Sequence, residues 1–237
     1  MPLEWNFQAV PTFSLFGDGT VVVPSAQIAI YPGPALPAIG ARTVDERAIQ
    51  ALLQRALDAG LGDRDRDLSD TGDVAIADAS TTVFTLTVEG RTTTTRVYAL
   101  GMDDGSVGPG LSPEDAELRR ELSDLAAALG DLDWLPESSV GQEGLYAGAA
   151  ARILIGPERA DEELPQRAVT WPLDRPLASM DAADTWGPDA RCAVVEGAEW
   201  QMVRDLADDA NQLTAWKSEG ERYSLVIRPL LPNEHGC

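Results

Sequence analysis

The sequence predicts an α+β protein: antiparallel β-hairpins and sheets packed against two or three helices. Three features carry that prediction. The stretch 191–232, RCAVVEGAEWQMVRDLADDANQLTAWKSEGERYSLVIRPLLP, reads as strand, helix and hairpin. The same order of elements recurs between residues 28 and 100, which points to two similar strand–helix–hairpin lobes. Between them lies GMDDGSVGPGLSP, residues 101–113, whose glycine, proline and aspartate mark a boundary. The expected division is 1–110 and 111–237, although a chain of 237 residues also suits one continuous domain.

In the first lobe, 13–16 and 20–23 flank Gly17-Asp18-Gly19, a strong hairpin signal. Residues 27–31, QIAIY, are strand-like, and Pro32, Pro34 and Pro37 make 31–37 a polyproline-like connector. Thr43 is placed as a helix N-cap, with Glu46 completing a capping box. Ile49, Leu52, Leu53 and Ala56 form the apolar stripe of that helix, and Gly60 stops it. Residues 82–89 and 91–100 then flank Gly90, with Phe84, Leu86 and Val88 alternating with threonines as in a sheet with one wet face. Helix followed by hairpin is a common combination, so the shared order does not by itself require a duplication.

In the second lobe, Ser112 caps a helix with Pro113 at its first position and Asp115 completing the box. Leu118, Leu122, Leu125 and Leu129 line one side of it, and Gly130 ends it. Residues 131–148 read as irregular, 151–155 and 167–173 as strands around an acidic loop, and 174–190 as turns with Trp186 under a loop. Ala193, Val194 and Val195 read as a buried strand, then Trp200, Val203, Leu206, Ala207 and Ala210 recur at helical spacing. Asn211 is expected to end that helix in a left-handed conformation. Residues 213–218 and 222–228 flank Glu219-Gly220, a tight turn. Tyr223, Leu225 and Ile227 alternate with Ser224, Val226 and Arg228, so one face of that strand is expected to pack inward.

A net charge of −21 excludes partners that need a basic surface, notably nucleic acid and anionic membranes. Residues 1–110 carry 14 acids against 7 bases and the remainder 25 against 11. Lys217 is the sole lysine, which matches a high-GC composition. No apolar run is long enough for a transmembrane span, and residues 1–30 do not read as a signal peptide.

Sequence chemistry assigns no catalytic, cofactor-binding or metal-ligating residue. His235 is the sole histidine, and the motifs CxxC, HExxH, GxSxG, GxxxxGK[ST] and GxGxxG do not occur. Asp63, Asp65 and Asp67 match the first three calcium-ligand spacings of an EF-hand, but Leu68 and Val74 then stand where glycine and glutamate are needed. A solvated surface loop is the reading preferred for 62–73. With 39 acids, paired carboxylates carry no information. The six tryptophans, Trp5, Trp134, Trp171, Trp186, Trp200 and Trp216, are scattered as packing residues usually are.

Two cysteines are present, Cys192 and Cys237. A bridge between them closes a loop of about 46 residues, worth roughly 4 kcal/mol on the chain-entropy model. Two unrelated thiols are the alternative. Cys237 has no role in a core at its position, which leans the reading towards a disulfide and an oxidising compartment.

The stretches FSLFGDGTVVVP (13–24), QIAIYPGPALP (27–37), TTVFTLTVEGR (81–91), VYALG (97–101), RCAVVEGA (191–198) and SLVIRPLLPNEHGC (224–237) resemble an uncharacterised family of exported, lipoprotein-like proteins from high-GC Gram-positive (actinobacterial) bacteria. The resemblance implies an extracellular or cell-envelope location and supports pairing Cys192 with Cys237. It brings no activity and no site residues, and this chain departs from the pattern in lacking the export segment. The expected function is a non-enzymatic binding or scaffolding protein of the cell envelope, with an envelope protein or glycan as partner and no cofactor. A carboxylate-based hydrolase of envelope glycans is the alternative, and calcium binding through 63–73 a third reading.

Overall fold

A computed structural model describes residues 3–69, 77–102, 111–159 and 161–237, with side chains from Asn6 onward. In chain order the elements are helix α1 (Leu3–Gln8), strands β1 (Ser14–Leu15), β2 (Thr20–Pro24) and β3 (Ile39–Thr43), and helix α2 (Glu46–Asp58). Strands β4 (Arg66–Leu68), β5 (Thr81–Val88) and β6 (Arg91–Tyr98) precede helix α3 (Pro113–Gly130). Then come strands β7 (Gly144–Leu145), β8 (Ala150–Pro157), β9 (Val169–Thr170), β10 (Asp181–Ala182) and β11 (Arg191–Glu196), helix α4 (Gly197–Ala207), and strands β12 (Ala215–Ser218) and β13 (Glu221–Pro229). The protein is α+β, and its sheets are mostly antiparallel.

The chain forms two compact units: Gly17–Thr20 with Arg42–Gln142, and Met1–Phe16, Val21–Ala41 and Glu143–Cys237. This division differs from a break between 110 and 111. Residues 103–110 of the expected boundary lie outside the described residues. The α3 helix sits in the first of these units because its buried Leu118, Leu122 and Leu125 share a core with Phe84, Leu86 and Val97 of β5 and β6.

Within that unit the expected helix forms, but its cap is Asp45, whose Oδ1 accepts from Ala48 N at 2.8 Å. Thr43 is instead the last residue of β3. At the other end, Gly60 adopts a φ of +83° and Leu61 N donates to Ala56 O, which satisfies carbonyls left open by the last turn. The α3 cap is as expected: Ser112 Oγ accepts from Asp115 N at 3.1 Å and donates to the Asp115 carboxylate at 2.8 Å. The β5–β6 hairpin turns at Glu89-Gly90, both with positive φ, the twist that two-residue hairpin turns favour. Residues of β5 alternate between exposed and half-buried along its whole length, so the wet threonine face is present.

Strand β4 adds to this hairpin in parallel, giving a three-stranded sheet of order β4-β6-β5. Strand β3 belongs to a different sheet, of order β1-β2-β3-β7, whereas β11, β12 and β13 share one. The element order repeats, but the sheet topology does not. Residues 27–31 are not a strand; the strand leading towards α2 is β3, twelve residues later in its start, formed from the weak strand sequence IGART. Pairing with β2 and β7 overrides propensity there.

The second unit is built on a six-stranded sheet of order β10-β11-β8-β13-β12-β9. Trp200, Val203 and Ala207 of α4 cover one face, against Ala151, Ile153, Ile155, Val195, Leu225, Ile227 and Trp216. Strand β13 is central and covered on both faces, so Ser224 and Arg228 are buried as well as Leu225 and Ile227. The β12–β13 turn at Glu219-Gly220 again has positive φ at both residues. Helix α4 ends at Ala207, and Leu206 of the expected stripe is 36% exposed. Asn211 is not left-handed: its Oδ1 accepts from Leu213 N at 2.9 Å, and its own N–H donates to Thr214 Oγ1 at 3.0 Å. That local side-chain closure replaces a left-handed helix end.

Arg119 is the buried residue of α3 that an apolar stripe does not foretell. Only 1% exposed, it donates from Nη1 to Leu68 O at 3.1 Å and from Nη2 to Tyr98 O at 2.7 Å, tying the ends of β4 and β6 to the helix. Arg119→Met keeps the aliphatic stem and removes these donors. It is expected to cost about 3 kcal/mol in urea unfolding, whereas Arg120→Met on the exposed side costs less than about 0.5 kcal/mol.

Candidate functional site

The face of the six-stranded sheet opposite α4 carries charge. Antiparallel pairing sets Arg228 of β13 directly against Arg152 of β8, and residues opposite in register project to the same face. The neighbouring positions on that face are Val226 and Leu154, with Cys192 of β11 beyond them. Two guanidiniums opposite one another repel unless a carboxylate is brought to them.

The chain brings one by folding back after β13. Leu230 and Leu231 are buried, and Glu234 N donates to Leu231 O at 2.9 Å, closing a turn through Pro232 and Asn233. The Glu234 carboxylate then takes the Arg228 fork, Nη1 to Oε2 at 2.7 Å and Nη2 to Oε1 at 2.5 Å, and accepts from Leu231 N at 2.8 Å. The Arg228 side chain is 2% exposed and that of Glu234 29%. Three residues on, Cys237 is joined to Cys192, with an S–S distance of 2.10 Å and a Cα separation of 6.0 Å. Because β8 lies between β11 and β13, the segment 230–237 crosses the sheet, held at Arg228 on one side and Cys192 on the other.

Arg152 is placed differently. Its Nη2 donates to Phe7 O at 2.5 Å, and its guanidinium lies 4.5 Å from the centroid of the Phe7 ring. Phe7, from α1, is fully buried and meets Trp186 edge-on at 5.1 Å. The Nε atoms of Arg152 and Arg228 are both buried without a hydrogen-bond partner. Burial, and then the charge of Arg228, depresses the Arg152 pKa, while Glu234 acts in the opposite sense. Burial pushes the Glu234 carboxyl up, but the Arg228 hydrogen bonds, the Leu231 amide and the two positive charges outweigh it, so its pKa lies below the ordinary glutamate value. The arrangement is a carboxylate site formed by the Arg228 fork and the Leu231 N–H, with the charge of Arg152 beside it, already filled by the chain's own glutamate.

The other residues singled out in the sequence lie elsewhere. His235 is on the exposed part of the tail. Asp65 accepts from Thr94 N at 2.8 Å, Asp67 accepts from Ser69 N and sits opposite Arg96 in the ladder, and Asp63 lies 4.0 Å from Arg66. The chain itself therefore engages these three carboxylates; Asp70 and Asp73 lie outside the described residues. Among the described residues no group of three or more His, Cys, Asp or Glu could hold a metal ion, and no helix is long and apolar enough to cross a membrane. Trp171, Trp200 and Trp216 are core residues, and Trp134 stacks under Arg55 at 4.9 Å. Residues 26–31 are all exposed, including Ile28 at 71%, Ile30 at 58% and Tyr31 at 61%.

The disulfide was legible as one of two readings, whereas Arg152, Glu234 and Phe7 were not singled out. Their signal was an arginine set inside each of the apolar runs ARILI and SLVIRP, which a buried strand tolerates only with a partner. Comparison with protein-family models, with curated proteins and with solved structures finds no match to this chain.

Glu234 has a folded-state pKa below its unfolded value, so its contribution is complete above roughly pH 4.3 and is lost as the pH falls through the folded value. Glu234→Gln is expected to destabilise by about 2 kcal/mol at pH 7, less than for a fully buried pair because the glutamate is part-exposed. In urea unfolding across a pH series, the difference between wild type and variant closes in acid.

Proposed function

We propose that this is an exported, non-enzymatic protein that binds or scaffolds a partner, an envelope protein or glycan, in the cell envelope or outside the cell. The observation that carries this reading is the Cys192–Cys237 disulfide. Structural disulfides persist in oxidising compartments and are rare where glutathione keeps thiols reduced. This one secures a segment whose other ties beyond Leu231 are the Glu234 ion pair and its hydrogen bonds with Leu231.

An exposed apolar run supports the binding reading. A run of six exposed residues, 26–31, presents two isoleucines and a tyrosine without any charge on a protein of net charge −21. Uncharged apolar exposure of this kind is what interaction sites use.

Alkylation and intact-mass analysis of protein from its native source is expected to find both cysteines blocked and a linked peptide containing Cys192 and Cys237. Two free, readily alkylated thiols would overturn the export reading. Binding is tested by cross-linking in envelope extracts: a specific partner captured by wild type is expected to be lost with Ile28→Asp/Ile30→Asp at unchanged melting temperature.

A further inference from the structure

We propose that the Arg228–Arg152 pair is a binding site for a doubly charged oxyanion, filled in the oxidised protein by Glu234 and opened when the Cys192–Cys237 disulfide is reduced. The donors are built into the sheet. Arg228 presents both Nη atoms, the buried Leu231 presents its N–H, and Arg152 lies beside Arg228 in register, oriented by the Phe7 carbonyl and ring. None of these positions depends on the disulfide for its place in the strand ladder or the turn entry.

Charge stoichiometry argues that the resident ligand is a stand-in. Two guanidiniums face a single carboxylate, and among the described residues Arg152 donates to the Phe7 carbonyl and lies over its ring, with no hydrogen bond to an anion. A dianion, as in a dicarboxylate or a phosphate, neutralises both arginines and satisfies the fork geometry that Glu234 now uses. The segment carrying Glu234 is weakly anchored. Pro232, Asn233, His235, Gly236 and Cys237 are exposed, so the carboxylate and the disulfide hold the tail in place.

The bridge anchors the tail on the far side of Glu234 and so raises the effective concentration of a carboxylate already tethered to Arg228, which excludes competitors. A dithiol reductant opens it by attack on the exposed Cys237 side. Two electrons and two protons pass to the pair, giving the Cys192 and Cys237 thiols, and the reductant leaves as its own disulfide. The tail beyond Leu231 is then free to exchange, and an external oxyanion competes with a Glu234 held only by its own hydrogen bonds and its short tether to Arg228.

The test uses the full chain with inorganic phosphate and malonate as separate probes, by calorimetry and thermal shift at pH 7. Oxidised wild type is expected to show no saturable binding, and dithiothreitol-reduced wild type to bind. Cys237→Ser/Glu234→Gln is expected to bind without reductant, about tenfold or more tightly than reduced wild type, because the internal carboxylate is gone. Adding Arg228→Met to that variant abolishes binding. A preference for one probe tells whether the site suits phosphate or dicarboxylate. No response to either probe in a reduced chain or double variant with a native circular-dichroism spectrum would overturn the proposal, as would equal responses with and without Arg228. Should the double variant fail to fold, Cys237→Ser alone, with Glu234 still competing, must bind as reduced wild type does; its failure to do so would equally refute the site.

Discussion

A fully buried guanidinium on the covered face of a β-sheet is stabilised by a counter-charge, and the C-terminal architecture follows from how Arg228 obtains one. The adjacent register position cannot supply it, because it holds Arg152. The carboxylate must come from outside the ladder, and the chain delivers it within six residues by turning at 229–232 and returning Glu234. Leu230 and Leu231 fix the start of that return, since Leu231 is buried with Val22 and Ile39, and Leu230 O accepts from Tyr146 Oη at 2.8 Å. Once Glu234 is placed over β13, the three residues to Cys237 have to cover about 10 Å to reach β11, two strand spacings away. That is close to the full reach of an extended tripeptide. The ion pair and the disulfide are therefore consecutive anchors of one short strap, and displacing either shifts the other.

The two compact units each bury an arginine and solve the problem differently. Arg119 meets carbonyl groups of Leu68 and Tyr98, the last residues of β4 and β6. Arg228 meets a carboxylate on a segment that has to be brought in. The first arrangement belongs to the secondary structure and forms with it. The second couples the sheet to a tail whose other residues are mostly exposed, which makes it the more exchangeable of the two.

Much of the secondary structure was legible because its signals are local. The Ser112-Pro113-Asp115 cap, the leucine stripe of α3, the Gly17–Gly19 turn and the Glu-Gly hairpin turns each act within a few residues. What misled was information that only pairing supplies. QIAIY has the composition of a strand, yet 27–31 stands exposed ahead of Pro32, while IGART lacks that composition and is held between β2 and β7. Thr43 satisfies a capping rule, but its place in β3 passes the cap to Asp45. Arg228 alternates with inward-facing residues, a pattern that predicts an outward side chain; a sheet covered on both faces has no outward side. The candidate site was half visible. Cysteines are countable, but the meeting of Arg152, Arg228 and Glu234 depends on a register between strands more than seventy residues apart.

That register is also what the charged cluster protects. Slipping β13 by one residue against β8 would turn Arg228 towards Ile153, Ile155 and Trp200 and carry Leu225 and Ile227 to the strap side. Neither guanidinium has a carboxylate on the apolar face, so the slipped pairing buries an uncompensated charge, a penalty of several kcal/mol. Net stabilisation by a buried ion pair is small, because desolvation offsets most of the attraction. Its effect here is on uniqueness: hydrophobic residues alone would allow β8 and β13, both apolar on two faces, to pair in more than one alignment. With Arg152 and Arg228 opposite one another and Glu234 returning to Arg228, a single alignment places all three, and the disulfide can close only from that alignment.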